Sequence, residues 1–222
     1  FILLSAIFLY TYISVDRIYK IESMIKIEEE SGESLLLSPS LSQSNINLEQ
    51  EIVLYLSKTN VSKLVSDLKL DVVARMDEKI ISVADVIDFE KYNFKYNLIK
   101  PTPHYYSIVK EADGFSVFDN NSTLIRENAR FGDEITDQNG VFVITRLDID
   151  VGKEILLSFY DKSTIVKYYV EKIYLNEVID SRFSWEQGNL LSVSYNTSDV
   201  KQGIEIVNKA NNIFLQQDIQ RK

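Results

Sequence analysis

Residues 190–222 read LLSVSYNTSDVKQGIEIVNKANNIFLQQDIQRK. Leu190 to Tyr195 has the texture of a strand. From Ser198 onward the apolar residues change to a helical period. Val200, Ile204, Val207, Ala210 and Phe214 recur at spacings of four, three, three and four, and Ile206, Ile213 and Ile219 widen that stripe. Ser198 is placed to cap a helix beginning at Asp199, whose carboxylate suits the positive end of the helix dipole. No glycine or proline stops the pattern before Lys222, which predicts a helix cut short there.

Working back towards the start, Asp161 to Tyr174 is predicted as a helix, with Ile165, Tyr168, Tyr169 and Lys172 at helical spacing. Leu175 to Phe183 is predicted as a strand, joined to Leu190–Tyr195 around Gln187-Gly188-Asn189. Residues 93–160 read as strands. Phe94, Tyr96 and Leu98 alternate with Lys95 and Asn97. Tyr105–Lys110 and Phe115–Phe118 flank the hairpin signal Asp113-Gly114. Val141, Val143, Thr145, Leu147 and Ile149 share one face. Val151-Gly152 then turns the chain into a partner strand carrying Ile155, Leu157 and Phe159.

Before that β-rich stretch lie two helices. One carries Leu48, Ile52 and Tyr55, with Asn47 and Gln50 as a capping box. The other carries Val61, Leu64, Val65 and Leu68, with Thr59 or Asn60 as its cap and Lys69-Leu70-Asp71 as its end. Residues 77–93 are ambiguous, with a short helix over Ser82–Tyr92 as one reading. Ile18 to Glu28 alternates with period two and is predicted as a half-buried strand. The order strand, helices, strands, helix, strands, long helix is an α+β layout, with an antiparallel or mixed sheet.

Phe1 to Ile13, FILLSAIFLYTYI, carries no charge. Thirteen helical residues would cover roughly 20 Å, about two thirds of a bilayer's hydrocarbon core. The expectation is the outer part of a truncated transmembrane helix, with Tyr10 and Tyr12 at the interface. A buried core helix or the apolar region of a signal peptide are the alternatives.

The chain has 222 residues and a net charge of −9, without a basic stripe, which argues against nucleic acid as a partner. There are no cysteines, so disulfides, thiolate metal sites and cysteine nucleophiles are excluded. The one histidine, His104, reads as a loop residue. No P-loop, G-x-G-x-x-G or G-x-S-x-G motif occurs. Glu28-Glu29-Glu30 reads as solvated charge rather than a metal site. Asp148, Asp150 and Asp161 end or follow strands, where an aspartate serves a turn as readily as it serves glycoside hydrolysis. The expectation is no catalytic residue, no metal and no cofactor.

Two stretches together resemble a known family: IYKIESMIKIEEESGESLL after the apolar start, and Gly188 to Lys222 at the other end. Both look like the chain length determinant (Wzz-type) domain of bacterial polysaccharide co-polymerases, within it the members that carry a cytoplasmic tyrosine autokinase. The helix Leu54–Leu70, the segment Pro103–Gly140 and the helix Thr164–Tyr174 resemble further parts of that domain. Val15-Asp16-Arg17 stands where such proteins commonly have a proline.

The resemblance implies the end of a first membrane helix at residues 1–14 and a periplasmic α+β domain at 15–197, with an inserted β-region at about 94–160. Residues 198–222 would then begin a long periplasmic helix. It further implies a protein of the bacterial inner membrane that forms a homo-oligomeric ring. Such a ring would act with a polysaccharide polymerase and an outer-membrane export protein to regulate the length and export of capsular or exopolysaccharide. Asp199, Asn208, Gln217 and Arg221 fall at the family's polar helix positions and are expected to cap, pack or contact neighbouring subunits. This stretch is not expected to be an enzyme, and a kinase domain would lie beyond Lys222. An extracytoplasmic carbohydrate-active enzyme and a ligand-sensing ectodomain remain the alternatives.

Overall fold

The computed structural model describes residues 17–27, 48–97, 99–178 and 190–221. The expected membrane segment Phe1–Ile13, Glu28-Glu29-Glu30, the Asn47 cap, residues 179–183 of the expected strand and the turn at Gln187-Gly188-Asn189 lie outside them; within them that strand ends at Glu177. Among the described residues, no helix is long and apolar enough to cross a membrane. The fold is α+β, its strand pairs are antiparallel, and it ends in a long helix. The chain divides into two units. One comprises residues up to Asn60 and from Val170 onward; the other is Val61–Tyr169.

The first unit is built on a three-stranded sheet. Strand β1 (Tyr19–Lys26) pairs with β12 (Leu190–Thr197), which pairs in turn with β11 (Ile173–Glu177). The period of two in β1 is real: Ile25 is buried and Ile21 and Ser23 are half-buried, whereas Lys20, Glu22 and Met24 are exposed. The long helix α5 (Val200–Arg221) packs against β1 and β12, and helix α1 (Leu48–Tyr55) packs against α5. The buried face of α5 is Gly203, Ile206, Val207, Ala210, Asn211, Ile213 and Phe214. Val200, Ile204 and Ile219, read from the sequence as part of the apolar stripe, are instead exposed. The buried stripe is centred between the 206/207, 210/211 and 213/214 pairs, which leaves those three on its flanks.

The second unit is a β-sandwich. Its six-stranded sheet runs β3 (Lys79–Ile81), β2 (Val72–Met76), β10 (Glu154–Phe159), β5 (His104–Lys110), β6 (Phe115–Asp119), β7 (Leu124–Ala129). Its three-stranded sheet runs β4 (Ile87–Phe94), β9 (Gly140–Leu147), β8 (Glu134–Thr136). The core is one cluster drawn from both sheets, with Phe115, Phe142, Phe159, Ile108, Ile144, Ile155 and Leu157 almost wholly buried. Each such side chain contributes about 1.5–3 kcal/mol of transfer free energy. Phe159 is central: its ring lies 4.5 Å from that of Phe94 and 5.5 Å from that of Phe89.

Several sequence expectations are corrected here. Ser82–Tyr92 is helical only over α3 (Val83–Val86); Ile87 begins a strand because Ile87 and Phe89 feed the sandwich core. That strand ends at Phe94, not beyond it, because its partner β9 begins opposite at Gly140. The β10 strand does not pair with β9 across the Val151-Gly152 turn. It crosses to the other sheet, between β2 and β5.

The face predicted for β9 is also only partly right. Phe142, Ile144 and Leu147 all belong to the core, although 144 and 147 differ in parity. Thr145 has no partner in the register with β4, and Glu90 has none in the register with β9. These paired irregularities flip the phase of both strands, as bulges do.

Helix α2 (Lys58–Asp67) starts earlier than expected, and its cap is Ser57, whose Oγ accepts from the Asn60 amide at 3.3 Å. It ends at Lys69, which has a φ of 51°, with Leu70 N–H donating to Val65 O at 3.0 Å and Lys69 N–H to Ser66 O at 3.3 Å. That is the Schellman pattern. Helix α4 (Lys162–Lys172) is capped by Asp161, whose Oδ2 accepts from Thr164 N at 2.9 Å. It buries Val166 and Tyr169, leaving Tyr168 exposed.

Candidate functional site on the long helix

The four residues singled out from the sequence lie along α5, and the first of them starts it. Asp199, not Ser198, is the N-cap: its Oδ1 accepts from Gln202 N at 3.1 Å, and its carbonyl accepts from Gly203 N at 2.9 Å. Thr197 Oγ1 accepts from Asp199 N at 3.0 Å and fixes the entry. Serine and aspartate are comparable caps, so residue type alone does not choose between them.

One turn into the helix, Gly203 allows close packing on the sheet. A Cβ there would lie 2.5 Å from Thr197 Cγ2 and 2.8 Å from Ile21 Cγ1. Further along, Asn208 is exposed and borders a depression of about 480 Å³ with Met24, Lys26, Asn211, Asn212 and Leu215.

A fifth polar residue, Asn211, is the most constrained of the helix and is not among the four. It is buried, accepts a hydrogen bond from the Tyr55 hydroxyl at 2.8 Å, and donates one to Ser23 Oγ at 3.0 Å. It therefore ties α1, β1 and α5 together. Burial pushes the Tyr55 phenol well above the ordinary tyrosine range, so the hydroxyl stays protonated and can donate. The Tyr55 ring also packs on Phe214 at 5.2 Å. The signal available in the sequence was an asparagine four residues after Val207 and three before Phe214, inside an apolar stripe.

Gln217 continues the polar row. Its Oε1 accepts from Asn60 Nδ2 at 2.6 Å, and the same amide donates to Leu54 O at 2.9 Å. Asn60, expected as a helix cap, is thus a buried link from α2 to α5. Arg221 closes the row, with Nη2 3.0 Å from Glu51 Oε2 and 2.9 Å from Asp218 Oδ1. Glu51 and Arg221 sit at the solvent boundary, where such pairs contribute about 0–1 kcal/mol. A second depression of about 470 Å³ lies beside them, lined by Glu49, Gln50, Val53, Leu54, Ser57 and Arg221.

Asn211, Gln217 and Arg221 thus form a ladder that fixes the rotation of α5 against its neighbours. Asp148 pairs with Arg146 at 3.7 Å, and the Asp150 carbonyl accepts from Lys153 N at 3.1 Å. Asp161 caps α4; burial raises its pKa, but hydrogen bonds from Ser163 and Thr164 outweigh that and hold it below the usual range. His104 is the first residue of β5, not a loop residue, and its ring lies 4.9 Å from Tyr96 and 5.4 Å from Phe94. Among the described residues, no group of three or more histidine or carboxylate side chains is arranged to hold a metal.

No family model and no curated protein matches the chain. Among solved structures, the crystal structure of Xanthomonas campestris FlgL is similar over 58% of this chain and 41% of its own, at 15% identity and a TM-score of 0.22. This chain thus spans less than half of that protein's length, and the likeness is too slight to carry an argument about fold or function.

Proposed function

We propose that this chain is the periplasmic region of an inner-membrane polysaccharide co-polymerase of the Wzz type. In this reading it is not an enzyme. It assembles with copies of itself into a ring and, with a polysaccharide polymerase and an outer-membrane export protein, governs the length and passage of capsular or exopolysaccharide. The observation that carries the reading is the pairing of β1 with β12 beneath α5. The two sequence stretches that bear the resemblance are far apart in the chain, yet they build one unit. The β-rich unit Val61–Tyr169 lies between them in the chain and contains the stretch expected as an inserted β-region, about 94–160, together with β2, β3 and β4 before it.

The ladder on α5 suits an assembly role, because it holds the helix at one rotation and so presents a fixed outer surface containing Asn208. The test is the length distribution of the polymer made by a host that depends on this protein. Deleting the protein, or removing the Asn211 link, is expected to change that distribution. An unchanged distribution after deletion, or a full-length protein that stays monomeric in nanodiscs, would overturn the reading.

A further inference from the structure

The six-stranded sheet of the second unit buries one face in the sandwich core, and its other face is exposed along a band that crosses the strands, although Ser116 and Ser158 on that face are buried. A single row crosses all six strands in register: Ile80 opposite Arg75, then Leu156, Ser107, Phe118 and Leu124. These six point away from the sandwich core, since their chain neighbours Ile81, Ala74, Leu157, Ile108, Val117 and Ile125 belong to it or pack against it. Four of its six residues, Ile80, Leu156, Phe118 and Leu124, are apolar, where a solvated antiparallel face normally carries polar residues. Ile80 is 70% exposed, Leu156 50% and Leu124 48%. Tyr105, in the next row, is 43% exposed. A contiguous patch of this kind marks an interaction surface.

We propose that this face docks against the same face of a second copy of the chain, about a two-fold axis parallel to the strands and running between β10 and β5. That operation exchanges the two ends of the row. Ile80 of one copy meets Leu124 of the other, Arg75 meets Phe118, and Leu156 meets Ser107. Apolar ends meet apolar ends, and the only charge in the row is set against an aromatic ring, a favourable cation–π pairing. The row brings no like charges together.

The size also fits. Strands of these lengths, ~4.8 Å apart with a rise of ~3.3 Å per residue, give a six-stranded face of roughly 500 Å² per copy. The total of about 1,000 Å² stands at the size that a biological interface should clear. A two-fold contact of this kind closes on itself as a dimer, so it adds to a ring contact and does not depend on the polysaccharide reading.

The chain has no cysteine, which makes directed cross-linking clean. In mild detergent, an equimolar mixture of Ile80→Cys and Leu124→Cys chains is expected to form mainly the mixed disulfide dimer under mild oxidation, with Ile80→Cys alone giving little. Sedimentation equilibrium should show self-association of the unmodified chain weakened at least about tenfold by Leu156→Glu. Ile80→Lys, on an edge strand, is the second variant should Leu156→Glu lose its folded circular dichroism. The proposal is overturned by a chain that stays monomeric, by association indifferent to both variants, or by Ile80→Cys homodimers forming as fast as the mixed pair. Association indifferent to these variants but lost on altering α5 overturns this contact and leaves the ring reading standing.

Discussion

Replacing Asn211 by alanine tests how the first unit is held together. The substitution deletes two hydrogen bonds, from the Tyr55 hydroxyl at 2.8 Å and to Ser23 Oγ at 3.0 Å. Tyr55 is 3% exposed, so its hydroxyl is left without water or a partner. An orphaned buried hydroxyl costs about 1–3 kcal/mol, and a lost bond to a half-exposed serine adds about 0.5–1 kcal/mol. Alanine returns roughly 0.5 kcal/mol through its better helix propensity. The net expectation is a loss of about 1–3.5 kcal/mol.

Tyr55→Phe should cost about 1–2 kcal/mol, because it removes the donor and leaves the Asn211 carbonyl oxygen short of one bond. The double variant Tyr55→Phe/Asn211→Ala should cost about 1 kcal/mol less than the sum, since the hydroxyl that Asn211→Ala orphans is gone. Urea unfolding followed by circular dichroism gives the totals, and hydrogen exchange of the α5 amides locates them in the first unit. An Asn211→Ala protein within about 0.5 kcal/mol of the parent, or a strictly additive cycle, would refute the claim that this asparagine is the link.

Two further outcomes are expected. Gly203→Ala should be destabilising by about 1 kcal/mol net in the same urea assay: overpacking against Thr197 and Ile21 costs about 1–3 kcal/mol, and helix propensity returns about 1. Trimming Thr197 to serine alongside it should recover part of that loss. Asp71, buried and accepting from the Tyr92 hydroxyl at 2.7 Å, has its pKa raised above 3.8, chiefly by burial. A carboxyl whose folded pKa is raised binds protons more tightly in the native state, so its contribution favours folding at acid pH and weakens as pH climbs from 3.8 through the folded value. Asp71→Asn, which keeps the acceptor for Tyr92, should therefore be at least as stable as the parent at neutral pH. A difference in urea midpoint that does not vary between about pH 3.5 and 7 would contradict this.

Local signals carried most of the element list. The period-two run in β1, the turn at Asp113-Gly114 and the helical period after Ser198 all specify local conformation through side-chain spacing, and each element is present. The β2–β3 hairpin was not legible. Its turn is Asp77-Glu78, with φ of 49° and 65°, a left-handed pair without the glycine or asparagine that normally announces it. The irregularities at Glu90 and Thr145 leave no sequence mark either, because each depends on the partner strand for its meaning.

The candidate site divides along the same line. Asp199, Asn208, Gln217 and Arg221 could be placed on one helix from spacing alone. Asp199 is bonded locally, but Gln217 and Arg221 find Asn60 and Glu51 more than 150 positions away in the chain, as Asn211 finds Tyr55. Thus the sequence by itself determined an acidic, cysteine-free α+β chain ending in a long amphipathic helix, because composition, alternation and helical period act over a few residues. Only the tertiary structure decided that β10 leaves its neighbour β9 for β2 and β5, that Asn211 is a buried link, and that an apolar row lies across six strands. Strand order, register and the pairing of buried polar groups are settled by contacts between distant residues, where burying the core outweighs local preference.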